Sequence, residues 1–141
     1  MASMYSTIDK TKIVATILPQ AVTETTTGAT VDTNAFNSVG LIVTVGTITT
    51  ADASNKFVLS FEHGDKSDMS DAASAANYVT AVQGTLTDMT VKATTGDEVT
   101  YTWHYFGDKR YLRAKLTVTG TVSGLFAAYV QLAIPGKAPV S

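Results

Sequence analysis

Glu98-Val99-Thr100-Tyr101-Thr102-Trp103-His104-Tyr105-Phe106 alternates without interruption. Val99, Tyr101, Trp103 and Tyr105 fall on one side and Thr100, Thr102 and His104 on the other. That period of two is the pattern of a strand with one face in a core. Downstream, Gly107-Asp108-Lys109-Arg110 reads as a hairpin turn in which glycine supplies a positive φ. Tyr111 to Thr119 then returns with Leu112, Ala114, Leu116 and Val118 inward and Arg113, Lys115 and Thr117 outward. After a second turn at Gly120 to Gly124, Leu125 to Ile134 is nearly all apolar, which predicts a central strand covered on both faces.

The same pattern extends upstream. Phe57 to His63 places Phe57, Leu59 and Phe61 on one face, and Val39 to Val45 does so with Leu41, Val43 and Val45. Ile13 to Leu18 is a β-branched run that Pro19 should stop, because proline cannot donate to a ladder. Ala21 to Asn37 reads as a Thr-rich loop holding at most one short strand, and Gly64 to Ala76 as a long exposed loop with at most a short helix capped by Ser70 or Asp71. Tyr78 to Val82 and Met89 to Lys92 are further short strands. The expected class is all-β, a jelly roll or β-sandwich of about seven to nine short antiparallel strands. It forms a single domain over residues 13–141, preceded by an extended N-terminal arm over residues 1–12.

Composition narrows the function. At 141 residues the chain is one domain's length. Threonine makes up about one residue in six, which favours strands over helices. Without cysteine there is no disulfide, thiolate nucleophile or Cys-based metal site. A net charge of −2 supplies no basic footprint for a nucleic-acid backbone, so no nucleic-acid partner is expected. The N-terminus has no basic patch leading into a long apolar run, so neither a secretory signal nor a membrane span is expected.

Candidates for chemistry have simpler structural readings. His63 and His104 lie in separate strands and do not make a three-ligand zinc site with Glu62 or Asp65. Ser60 shares a strand face with Glu62 but lacks a nucleophile elbow. Asp65, Asp68 and Asp71 miss the alternate-residue spacing of a calcium loop. The aromatic row Tyr101, Trp103 and Tyr105 would suit a sugar, but regular alternation assigns it to the core. The reading names no catalytic residue, metal ligand or cofactor, and no enzyme activity. The features least needed by the core are Tyr5 and Ile8 in the arm, expected to be mobile in the free protein, and the cluster Asp108, Lys109, Arg110, Tyr111 and Arg113. These are the candidate partner-binding residues. The competing reading pairs Arg110 and Arg113 with Asp108 or Glu98 across the turn.

Phe57-Val58-Leu59-Ser60-Phe61-Glu62-His63-Gly64-Asp65, then Tyr105-Phe106-Gly107-Asp108-Lys109-Arg110-Tyr111-Leu112-Arg113, a turn at Thr119-Gly120 and a closing strand ending at Pro135 resemble the capsid cement (decoration) proteins of tailed bacteriophages. The likeness runs from about Ile13 to Pro139. Its most specific piece is Gly107 to Arg113, which matches the family's Gly-x-Lys-Arg-Tyr-x-Arg. The arm over residues 1–12 has no counterpart. The resemblance implies a non-enzymatic jelly-roll or sandwich domain, made in the bacterial cytoplasm and placed on the outer surface of the virion capsid. There it would bind neighbouring subunits of the major capsid protein, with a neck or tail component as the variant reading. Symmetry adds a further expectation, self-association as a homodimer. A carbohydrate-binding sandwich module is the alternative from a different class.

Overall fold

A computed structural model describes residues 10–49, 51–83, 90–91 and 99–135. Among the described residues eleven strands follow one another: β1 (Thr11–Val22), β2 (Thr26–Thr27), β3 (Val31–Asp32), β4 (Phe36–Thr49), β5 (Lys56–Gly64), β6 (Ala73–Ser74), β7 (Val79–Gln83), β8 (Thr90–Val91), β9 (Val99–Tyr105), β10 (Tyr111–Thr119) and β11 (Ser123–Pro135). A 3-10 turn spans Ala76–Tyr78. Four of the eleven are two-residue bridges, which is why the count exceeds the seven to nine expected from periodicity. Among the described residues no helix is long and apolar enough to cross a membrane.

The strands form two antiparallel sheets. One has the order β1-β11-β4-β9-β7; the other has β2-β10-β5-β6, with β3 also on β10 and β8 also on β5. One set of pairs is nested in sequence: β1 with β11, β2 and β3 with β10, β4 with β9, and β5 with β6 and β8; the long ladders of β11 with β4 and β10 with β5 join that set into the two sheets. Folding such a nested set of pairs over on itself makes a jelly roll, and the expected all-β sandwich is observed.

Alternation decides which side chains fill the space between the sheets. Leu41, Val43 and Val45 of β4, Tyr101, Trp103 and Tyr105 of β9, and Phe126, Ala128, Val130 and Leu132 of β11 face inward from one sheet. Phe57, Leu59 and Phe61 of β5 with Leu112, Ala114 and Leu116 of β10 meet them from the other. Edge-to-face rings lock the layers: Phe57 lies 4.6 Å from Phe126 and Phe61 5.3 Å from Trp103, centroid to centroid. The Trp103 row therefore belongs to the core.

Three local expectations are corrected. β1 does not stop before Pro19 but runs through it to Val22, because β1 is an edge strand and its ladder shifts register between Ala15 and Ile17 and again between Ile17 and Gln20. Proline is tolerated at such bulges and edges. The first shift turns Thr16 inward, where its hydroxyl donates to the Ala29 carbonyl and accepts the Ala114 N–H, tying β1 to β10 in the opposite sheet. The strand also begins at Thr11, so Thr11 and Lys12 are paired residues opposite Ala133 and Leu132; residues 1–9, including Tyr5 and Ile8, lie outside the described residues. Finally, β11 is central as expected but is covered on one face only: Leu125 on its outer side is 51% exposed.

The outer faces of the two sheets differ in chemistry. Across the first sheet the register gives the rows Ile13, Gln131, Gly40, His104, Thr80 and Ala15, Tyr129, Ile42, Thr102, Gln83. Its five strands contain one formally charged residue among those described, Lys12 at the edge. Across the second sheet the outward rows pair Arg113 with Glu62, Lys115 with Ser60 and Thr119 with Lys56.

Candidate partner-binding end of the sandwich

Residues 106–110 carry the chain from β9 in one sheet to β10 in the other. They do not form the hairpin predicted from the Gly107 turn, because β9 pairs with β4 and β7 while β10 pairs with β5. Positive φ occurs at Gly120, Ala35 and Met69, and Gly107 is not among these residues. Gly107 is needed for a different reason. A Cβ there would collide with the hydroxyl and the ring edge of Tyr105.

That hydroxyl organises the loop. Tyr105 Oη lies 2.8 Å from His63 Nδ1 inside the sandwich and accepts the Lys109 N–H at 3.3 Å. His63 is only 5% exposed. Burial, reinforced by the positive charge of Lys109, holds the His63 pKa below its ordinary 6.5, and burial raises that of Tyr105. The imidazole is thus a neutral structural partner. Its ring also lies 5.0 Å from Tyr78, whose carbonyl accepts the Phe106 N–H at 2.9 Å. Phe106 itself is 54% exposed, with its ring 6.2 Å from that of Tyr78.

Ion pairs fix the rest of the loop from outside. Lys109 Nζ reaches Asp65 at 2.7 Å. Arg110 grips Asp32 with Nε and Nη2, both at 2.9 Å, a two-point contact that a lysine could not make. The Arg110 hydrogen bond is the main cause holding the Asp32 pKa below its ordinary 3.8, and Asp32 raises that of Arg110 in return. The Arg110 guanidinium stands 5.2 Å from the Tyr111 ring centroid, and Thr33 donates both its N–H and its hydroxyl to the Arg110 carbonyl. One strand position further in, Arg113 Nε meets Glu62 at 2.9 Å, both largely shielded from solvent. The arginines are therefore paired, with Asp32 and Glu62 rather than with Asp108; Glu98, the other partner expected, lies outside the described residues.

Between this loop and residues 33–37 lies an open cleft of about 510 Å³ with Asn34, Asn37, His104, Phe106 and Asp108 on its walls. Asp108 forms no ion pair among the described residues. On the cleft's rim Ala35 is held at φ 73°, a conformation uncommon for a residue with a Cβ.

Of the sequence candidates, Asp108, Lys109 and Arg110 sit on this loop, while Tyr111 and Arg113 extend from it along the outer face of β10. Sequence reasoning missed Tyr78 and Phe106. Phe106 was detectable: it continues the run Tyr101, Trp103, Tyr105 one residue out of phase, so alternation points it outward. Asp65 pairs with Lys109, while Asp68 and Asp71 serve the loop's own backbone. The Asp71 carboxylate accepts the N–H groups of Asp65 and Lys66, and the former bond is the main cause lowering its pKa. Among the described residues no group of three His, Asp or Glu gathers to hold a metal.

No protein-family model matches the chain, and no curated protein matches it. Among solved structures it is similar to the SPBc2 prophage-derived protein YomS, with a TM-score of 0.46 at 11% identity, covering 85% of this chain and 94% of that one.

Proposed function

We propose that the protein is a virion structural protein that binds the outer surface of a phage head and cements neighbouring major capsid subunits, using the Phe106 end of the sandwich as its contact. The observation that carries this reading is the exposed aromatic pair Tyr78 and Phe106, set beside a loop that Lys109–Asp65 and Arg110–Asp32 hold in one conformation. Interface hot spots are enriched in tyrosine and arginine, and a preorganised loop loses little entropy on docking. The groups that resemble catalytic candidates already have structural partners: His63 has Tyr105 and Glu62 has Arg113. This supports a role without catalysis. Gly107 to Arg113, the segment most like the cement proteins, is the same segment that builds this end. A single modest contact of this kind gains strength by repetition over a symmetric shell.

The test is to mix the purified protein with phage heads lacking it and measure the amount retained after sedimentation of the particles. Phe106→Ala and Tyr78→Ala should lower occupancy while leaving the melting temperature of the free protein near that of the parent. Unchanged occupancy in both would sink the assignment of this end. Retention on tails in place of heads would move the protein to a tail role.

A second reading, a carbohydrate-binding module, no longer has the buried Trp103 row to rest on, but the cleft favours it at a new place. Asn34, Asn37 and Asp108 around the Phe106 ring are groups that suit a neutral polyol. Saturable sugar binding that Phe106→Ala abolishes, with no retention on heads, would select it.

A further inference from the structure

The outer face of the β1-β11-β4-β9-β7 sheet adjoins the Phe106 end only at His104, which lines both the cleft there and a hollow on this face, and it has a composition that solvent does not explain. A sheet face turned to water ordinarily carries charged and polar side chains opposite its apolar face. Here the central rows hold no Asp, Glu, Lys or Arg, although the rest of the chain has them in ordinary supply. Instead they present Ile42 and Tyr129, half-buried, with Leu125 and Ile13 standing clear; Ile13 is 59% exposed.

Two glycines on β4 shape this face differently. Gly46 must be glycine, because a Cβ would press on Leu125 Cβ at 2.9 Å; its absence seats Leu125 on the sheet. At Gly40 a Cβ would meet Gln131 at 3.6 Å, an ordinary contact, so nothing among the described residues requires the missing side chain. What its absence leaves is a hollow of about 250 Å³ walled by Ile42, Val82, Thr102, His104 and Gln131. The face therefore has projecting aliphatic side chains and a hollow able to receive one.

We infer that this face is the interface of a twofold homodimer, packed sheet to sheet against the same face of a second copy. Charge complementarity selects that occupant. Burying a charge without a partner is costly, so the opposing surface must itself be uncharged over the whole area, and a second copy of this face meets that requirement. On a twofold axis the same patch meets itself, so the projections of one copy can enter the hollow of the other. Size agrees as well. At the usual strand spacing and rise, five strands of these lengths make a face of roughly 800 Å², the area each partner contributes to a standard stable interface. The charged face of the other sheet would then remain in solvent on both copies.

Sedimentation equilibrium tests the proposal directly. The parent protein should dimerise, Thr44→Glu and Leu125→Glu should each weaken the dimer on the order of a hundredfold, and Lys115→Glu on the opposite face should leave it unchanged. Circular dichroism checks that each variant is folded. Because the chain lacks cysteine, Thr44→Cys and Lys115→Cys give a second measurement that needs no destabilising charge. A short bis-maleimide should join copies through position 44 and not through position 115. A monomeric parent, or a dimer indifferent to Thr44→Glu and Leu125→Glu, overturns the inference. So does a monomer whose Thr44→Glu variant loses occupancy on heads, since the face would then belong to the capsid contact. Head binding by the Phe106 end is scored separately, so either idea can fail without the other.

Discussion

The two outer faces of this sandwich are built on the same kind of strand yet are held in opposite ways. On the β10–β5 face, Arg113 and Glu62 sit opposite one another and satisfy each other while solvent reaches the remaining charges. On the β4–β11 face, threonine, glycine and aliphatic residues occupy the equivalent rows, with no charge to pair. Threonine is what permits the second arrangement. Its hydroxyl wets the face without a charge, as in the cross-strand contacts of Thr44 with Thr100 and Thr49 with Ser123, and its branched carbon favours the strand. A single sequence can thus give one face made for water and another made for contact without altering the core between them.

The largest effect should come from the layer both faces share. Trp103 packs edge-on to Phe61 and stacks with Tyr101, so Trp103→Ala should cost roughly 3 to 5 kcal/mol of folding stability. Denaturant unfolding would show it, and a variant as stable as the parent would mean that the faces are supported by something other than this core.

Acid should come next. The His63 pKa is lowered in the folded state by burial, so below about pH 6.5 the unfolded chain binds more protons than the folded one and stability falls as pH falls toward the folded-state value. Asp32, whose pKa is also lowered but from 3.8, adds a separate loss that begins only below that pH as its bond to Arg110 is neutralised. Stability measured against pH should therefore fall in two windows. Asp32→Asn should reduce the lower one, to which Asp52, Asp68 and Asp71 also contribute because backbone N–H groups lower their pKa values from the same 3.8, and leave the upper. A curve flat from pH 7 to pH 5 would contradict the neutral, buried His63.

A smaller change is expected on the charged face, where Arg113→Ala should cost about 1 kcal/mol and a double-mutant cycle with Glu62→Ala should attribute most of it to the pair. The smallest concerns salt. Raising sodium chloride should weaken the exposed Lys109–Asp65 and Arg110–Asp32 contacts and barely move the melting temperature. Association through an uncharged face should not weaken with salt at all. Salt-driven dissociation of self-associated protein would break the contrast between the faces.

How far the sequence foretold this depends on the range of the interaction. Alternation in Phe57–Phe61, Tyr101–Tyr105 and Leu112–Leu116 revealed the inward residues, because a strand's period of two is a local property. The β9–β10 connection was misread for the same reason. Five residues with a glycine look like a hairpin whether the chain turns back in one sheet or crosses to the other, and only pairing with the distant β4 and β5 decides. Pro19 obeys a rule about central strands that does not bind an edge strand. At the candidate site, Lys109, Arg110 and Arg113 were visible as a cluster. Their partners Asp65, Asp32 and Glu62 lie 44, 78 and 51 positions away and were not. The role of Gly107 was hidden too, since it answers to the position of one tyrosine ring rather than to its own turn.

The nesting of the strands sets the order in which the chain can fold. β11, the last strand among the described residues, lies between β1 and β4 and supplies the ladder for both. Until it has been synthesised, β1 has no ladder partner among the described strands and is not joined to β4, β9 and β7. Assembly of that sheet thus waits for β11 and rests on contacts between strands far apart in the sequence, and such long-range pairing is intrinsically slow. A nascent chain stalled short of residue 123 would hold aliphatic strands with nothing to cover them, and a truncation there should yield insoluble protein rather than a smaller sandwich.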